Sequence, residues 1–110
     1  MASNDVAKLR EVFGKMKEHF VPGMLKHFDT EAVTSLIAPR PFLTLSGADD
    51  GGSPAAGVKK INDFCADVYR LYGKPDAFKG ILYPGVAHVY TPEMWKEMLD
   101  WMDRCLKPTR

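Results

Sequence analysis

Cys65 and Cys105 are the only cysteines in the 110 residues. Neither has a Cys or His partner at zinc-ligand spacing, and both fall on apolar stripes of predicted helices. The expectation is therefore buried free thiols, with no disulfide framework, metal centre or cofactor. Long apolar runs are missing too: none approaches the ~20 residues a membrane span needs. The opening MASNDVAKLREVF lacks the apolar core of a signal peptide. Together these point to a soluble, cytoplasmic chain without membrane partners. One-signed charge is also absent. Fifteen Lys and Arg against 14 Asp and Glu leave a formal +1, and the signs are interspersed. A nucleic-acid surface needs clustered cations, so that partner class is excluded, and Lys59-Lys60 reads as a solvated face. There is no internal repeat, linker or low-complexity segment.

What is present is ordinary for a globular domain, with 45% hydrophobic and 26% charged residues. The length corresponds to one domain or part of one. Two regions stand out. Residues 1–20 carry Val6, Leu9, Phe13, Met16 and Phe20 at helical spacing, predicting an amphipathic helix from about residue 5 to 20 that ends at Val21-Pro22-Gly23. Residues 21–110 alternate helix and strand signals. Asp29-Thr30-Glu31 starts a short helix through Ile37, which Ala38-Pro39-Arg40-Pro41 stops. Residues 41–46 read as a buried strand. Ser53-Pro54 reads as an N-cap followed by proline at the first helical position. The helix that follows has an apolar stripe of Val58, Ile61, Phe64, Cys65, Val68, Leu71 and Tyr72 and closes at Gly73. Residues 78–83 form the second predicted strand. Thr91-Pro92-Glu93 starts a last helix whose inner face is expected to hold Trp95, Met98, Leu99, Met102 and Leu106.

Strand, crossover helix, strand is the pattern of a parallel β-α-β unit. In parallel strands both carboxyl ends lie on one edge of the sheet, where α/β proteins place their chemistry. Asp50 follows the first carboxyl end and His88 the second. If the strands are neighbours, about 4.8 Å apart, the loops can bring a carboxylate to an imidazole nitrogen. The carboxylate would fix the tautomer and leave the other nitrogen as a general base.

These residues also resemble a known family. The run VPGMLKHFDTEAVTSLIAPRPFLTLSGADDGGSP and the later ILYPGVAHVYTPEMWKEMLDWMDRCL are similar to the C-terminal part of α/β-hydrolases, in the dienelactone-hydrolase and acetyl-xylan-esterase-like group. The likeness covers roughly residues 21 to 107. It implies that Gly47-Ala48-Asp49-Asp50 supplies the catalytic acid, Asp50 ahead of Asp49, and that Gly85-Val86-Ala87-His88 supplies the base. It further implies hydrolysis of a small carboxylic ester, esterase- or deacetylase-like, without a cofactor.

The departure from the family pattern is the nucleophile. Hydrolases of this type carry serine earlier in the chain, on a G-x-S-x-G elbow, and that region is missing here. Gly51-Gly52-Ser53-Pro54-Ala55 is a degenerate match. Ser53 is already explained as a cap, though, and several loop residues separate it from the strand. Ser46 is assigned a loop role, Cys65 a core role, and His19 and His27 surface or packing roles. Arg40 is expected to tie the start of the strand to an acidic neighbour.

The expected fold is thus a truncated α/β-hydrolase C-terminal portion, with strands near 41–46 and 78–83 flanked by helices. The chain alone is expected to be inactive without a nucleophile. An open two-stranded sheet further implies a homodimer, or union with a missing N-terminal half, that extends the sheet. The competing reading is a non-catalytic remnant serving as a dimerisation or binding module.

Overall fold

The computed structural model describes residues 26–107 together with Ala7, Arg10, Glu11, Gly14, Pro22 and Gly23. Most of the helix expected over residues 5–20, including His19, lies outside the described residues; Ala7, Arg10, Glu11 and Gly14 within it are helical and exposed. His27 sits in an exposed turn.

Helix α1 spans Thr30–Thr34. Asp29 caps it, Oδ1 accepting the Thr30 N–H at 2.6 Å and so satisfying a donor the helix cannot. A 3-10 turn, Ser35–Ile37, runs into the proline segment, where the Ala38–Pro39 bond is cis. Strand β1 is Phe42–Gly47, helix α2 is Ala55–Leu71, strand β2 is Phe78–Tyr83 and helix α3 is Pro92–Leu106. The strands pair in parallel and in register, Phe42 opposite Phe78 and Gly47 opposite Tyr83. Each strand has one neighbour, so each keeps an open outer edge among the described residues.

Helix α2 fastens to the sheet from one side. Thr44 and Asn62 are hydrogen-bonded through Oγ1 and Oδ1 at 2.9 Å. Opposite Thr44, Gly80 leaves room for Asn62: a Cβ there would lie 2.5 Å from the Asn62 Cγ. Cys65 and Tyr69 are fully buried. The Tyr69 ring packs on Phe78 at 5.4 Å, and Phe78 on Phe42 at 5.7 Å. The Tyr69 hydroxyl donates to the Arg40 carbonyl, giving the buried O–H a partner. Arg40 itself reaches no acid among the described residues. Its Nε and Nη2 donate to the carbonyls of Ile37 and Leu36 at 3.1 and 3.3 Å, closing the 3-10 turn before β1.

Helix α3 covers the sheet elsewhere. Thr91 caps it, its Oγ1 accepting the Met94 N–H at 3.2 Å, and Pro92 occupies the first turn, where its missing N–H costs nothing. Lys79 pairs with Glu97, and Arg104 donates to the Asp76 carbonyl at 3.3 Å while lying over the Trp101 ring. Thr91→Ala is expected to lower stability by about 1 kcal/mol, measured as a lower urea midpoint with an unchanged slope.

Three expectations are corrected. The first strand is half-buried along its length, with only Gly47 buried, because a two-stranded sheet offers it one strand neighbour. In α2 the inner line passes through Cys65 and Tyr69, while Phe64, Leu71 and Tyr72 are exposed. In α3 the buried residues are Met94 and Trp101; Trp95, Leu99, Met102 and Leu106 are about half to three-quarters exposed. The helix is apolar over two adjacent stripes, and the buried residues belong to one of them.

Candidate active site

Both carboxyl ends of the sheet open into loops on the same rim. The first turn begins at Gly47 and folds back on the second by backbone hydrogen bonds. Ala48 N–H donates to the Tyr83 carbonyl at 2.8 Å, and Asp49 N–H to the Val86 carbonyl at 2.9 Å. The loops approach so closely that a Cβ on Gly47 would lie 2.2 Å from the Val86 oxygen and 2.5 Å from the Ala87 oxygen. Gly47 is therefore a spacing residue, needed for the absence of a side chain. In the second loop Gly85 adopts φ 71°, a left-handed conformation that glycine takes without strain. Beyond it, Val89 N–H donates to the Ala87 carbonyl at 2.9 Å, so His88 is the apex of a tight three-residue turn.

These turns bring Asp50 and His88 together. His88 Nδ1 lies 2.8 Å from Asp50 Oδ2. The other carboxylate oxygen, Oδ1, accepts the Gly52 N–H at 2.8 Å. Hydrogen bonding to His88, and next to the Gly52 N–H, holds the Asp50 carboxyl below its ordinary value of 3.8. An ionised carboxylate can only accept, so Nδ1 carries the proton of this bond and Nε2 is left as the basic nitrogen. The Asp50 side chain is 12% exposed and that of His88 91%. The acid is seated against the rim, and the base projects from it.

A titration follows from the bond. Asp50 is expected to lose its proton at a pH below 3.8, and His88→Ala to move that midpoint up toward 3.8, followed by the carboxyl carbon resonance of Asp50. The sign is set by linkage. Because the folded-state value is depressed, the stability this carboxylate contributes is complete above the unfolded-chain value and is lost as pH falls through the folded one.

An open concavity of about 360 Å³ surrounds the pair, with Leu45, Gly47, Asp50, Ser53, His88 and Tyr90 in its lining. Ser53 thus shares the concavity, yet it is exposed and no hydrogen bond joins its Oγ to His88. Nor is it the helix cap. Its N–H donates to the Asp50 carbonyl at 3.3 Å, and the helix starts one residue later, with Pro54 at the N-cap position and no side-chain capping bond. The turn that wraps Asp50 draws Ser53 away from the helix end. Ser46 also lines the concavity. Asp49 is exposed and joins the site through its backbone, and Cys65 is buried in α2.

Gly47, in its spacing role, and Tyr69 are the residues the sequence reading missed. A stripe that takes in Phe64 and Leu71 is centred to one side of Tyr69, which follows Cys65 by one helical turn at the stripe's edge. The only available signal for Gly47 was a glycine ending a strand, which also suits a simple turn.

No cluster of three or more His, Cys, Asp or Glu side chains suited to a metal ion occurs among the described residues. Nor is any helix among them long and apolar enough to cross a membrane.

Over 88 residues, 80% of this chain, the sequence is 34% identical to the protein named "Putative hydrolase YtaP" of Bacillus subtilis (strain 168). The match spans 29% of that protein's length. No family model matches the chain, and no solved structure does.

Proposed function

We propose that this chain supplies the acid and base of a serine ester hydrolase whose nucleophile lies on polypeptide outside it. The observation that carries the reading is the 2.8 Å bond from His88 Nδ1 to Asp50 Oδ2 at one sheet rim, with the imidazole otherwise open to the concavity. Similarity to a longer protein, the one named "Putative hydrolase YtaP", agrees with it.

The chemistry then runs as follows. A serine hydroxyl placed against Nε2 gives up its proton to His88 as its oxygen bonds to the ester carbonyl carbon. Asp50 stabilises the resulting imidazolium without taking its proton. The imidazolium protonates the leaving alcohol as the carbon–alkoxide bond breaks, leaving an acyl-serine. Water, deprotonated by the same nitrogen, hydrolyses the acyl-serine and restores the serine. The substrate class is a small carboxylic ester, in the manner of esterases and deacetylases.

The test is a chimera in which this chain replaces the matched segment of the Bacillus subtilis protein. It is treated with a fluorophosphonate, which labels only activated serines, and with a short-chain aryl ester. Labelling in the chimera that His88→Ala abolishes supports the proposal. A folded chimera left unlabelled while the parent is labelled overturns it. Labelling of the isolated chain at Ser53 would replace the external serine with an internal one. The second reading, a non-catalytic binding module, is favoured by one observation: the uncovered apolar stripe of α3.

A further inference from the structure

The exposed side of α3 carries Trp95, Leu99, Met102 and Leu106, between 47% and 74% exposed. Their spacing is four, three and four residues, the a/d repeat of helices that pack along their length. The stripe covers about 16 Å of helix at 1.5 Å per residue. It continues at its N-terminal end into Tyr90, which meets Trp95 edge-to-face at 5.2 Å. The residues around the stripe, not its hydrophobicity, indicate what covers it.

We infer that the stripe is a homodimer interface, in which α3 packs antiparallel on α3 of a second copy about a two-fold axis near the Asp100–Trp101 level. In that arrangement Leu99 meets the partner's Met102 and Trp95 meets the partner's Leu106, and the symmetry repeats each contact. Between those two layers, on one flank, Lys96 faces the partner's Asp103, and Asp103 faces the partner's Lys96. Both side chains are largely exposed, Lys96 at 80% and Asp103 at 68%, and among the described residues each pairs with an i,i+4 companion on its own helix, Asp100 and Lys107. The opposite flank carries Met98 and Cys105, which are half-buried and uncharged.

Charge complementarity therefore distinguishes the orientations. A parallel pair would set Lys96 and Asp103 against Met98 and Cys105, with no charge partner. An antiparallel pair gives opposite charges on both sides of the axis. The open strand edges carry no comparable self-matching pattern. The interface is small, so the dimer is expected in the micromolar range, with a dissociation constant on the order of 10 µM.

Sedimentation equilibrium of the full chain from about 1 to about 200 µM brackets that range. The expected result is a monomer–dimer equilibrium. Leu99→Glu weakens it at least tenfold, and Lys96→Asp weakens it about threefold to tenfold by opposing two aspartates. Lys96→Asp combined with Asp103→Lys restores the affinity to within about twofold of the original. Circular dichroism melts check that each variant folds, and the charge pair keeps the test valid should Leu99→Glu not fold.

A monomer throughout the range overturns the inference. In that case, a fall in melting temperature with Leu99→Glu assigns the stripe to a cover within the chain, and an unchanged melt shows it open to water. A dimer indifferent to Leu99→Glu lies on another surface and overturns the inference. A double variant no tighter than Lys96→Asp alone overturns the antiparallel arrangement.

Discussion

In the hydrolase chimera, His88→Ala is expected to lower kcat/KM for an aryl ester by about 10⁴-fold or more, with the fluorophosphonate label lost in parallel. The size follows from the role. Without an imidazole at the rim, the serine proton has no acceptor and the leaving alkoxide no donor. Whatever rate remains comes from substrate binding and oxyanion stabilisation. Asp50→Asn is expected to fall almost as far, on the order of 10⁴, while leaving the fold intact. An asparagine amide can donate to Nδ1, which turns the Nε2 lone pair into an N–H and removes the base. Asp49→Asn serves as control, since that residue joins the site through its backbone N–H. An Asp49 effect as large as that of Asp50 would reassign the acid.

Gly47→Ala is expected to destabilise the chain by about 3 kcal/mol or more and to separate the two turns that hold Asp50 and His88. Backbone carbonyls at 2.2 and 2.5 Å from the added carbon cannot rotate aside as a side chain would. Either the Asp49–Val86 hydrogen bond breaks, or the strand ends part. Of a total stability that for small domains is only about 5 to 15 kcal/mol, that is a large share. Urea denaturation gives the loss, and the Asp50 carboxyl titration shows whether the bond to His88 survives. Gly51→Ala, where a Cβ meets nothing within 4 Å, controls for the general effect of replacing glycine. Equal midpoints for the two variants would refute the close-approach account.

The parts of the structure that were legible beforehand are those governed by neighbours in the chain. Asp29, Thr91-Pro92 and Gly73 mark helix ends by bonds or dihedral preferences that operate within a few residues, and all three do so in the structure. The meeting of Asp50 and His88 was legible by one further step. Two strands joined by a helical crossover run the same way, so the residues after their carboxyl ends share a rim. Burial was less legible. On α3 the positions 94, 98, 101 and 105 and the positions 95, 99, 102 and 106 are both apolar in character, and a hydrophobic periodicity gives only the middle of that broad arc. Which half faces the sheet is decided by how the helix is fastened, through Glu97 to Lys79 and Arg104 to the Asp76 carbonyl.

Within the described residues, the sequence by itself determined the order of the helices and strands, the helix ends marked by Asp29, Gly73 and Thr91-Pro92, and the two residue types that meet at the rim. Local dihedral preference, capping and hydrophobic period act within one element and need no partner. Tertiary structure alone decided that Gly47 must lack a side chain, that Tyr69 and Trp101 rather than Phe64 and Trp95 enter the core, and that Ser53 leaves the helix cap to turn about Asp50. Each of those outcomes depends on the distance between atoms far apart in the chain, and no periodicity carries that distance.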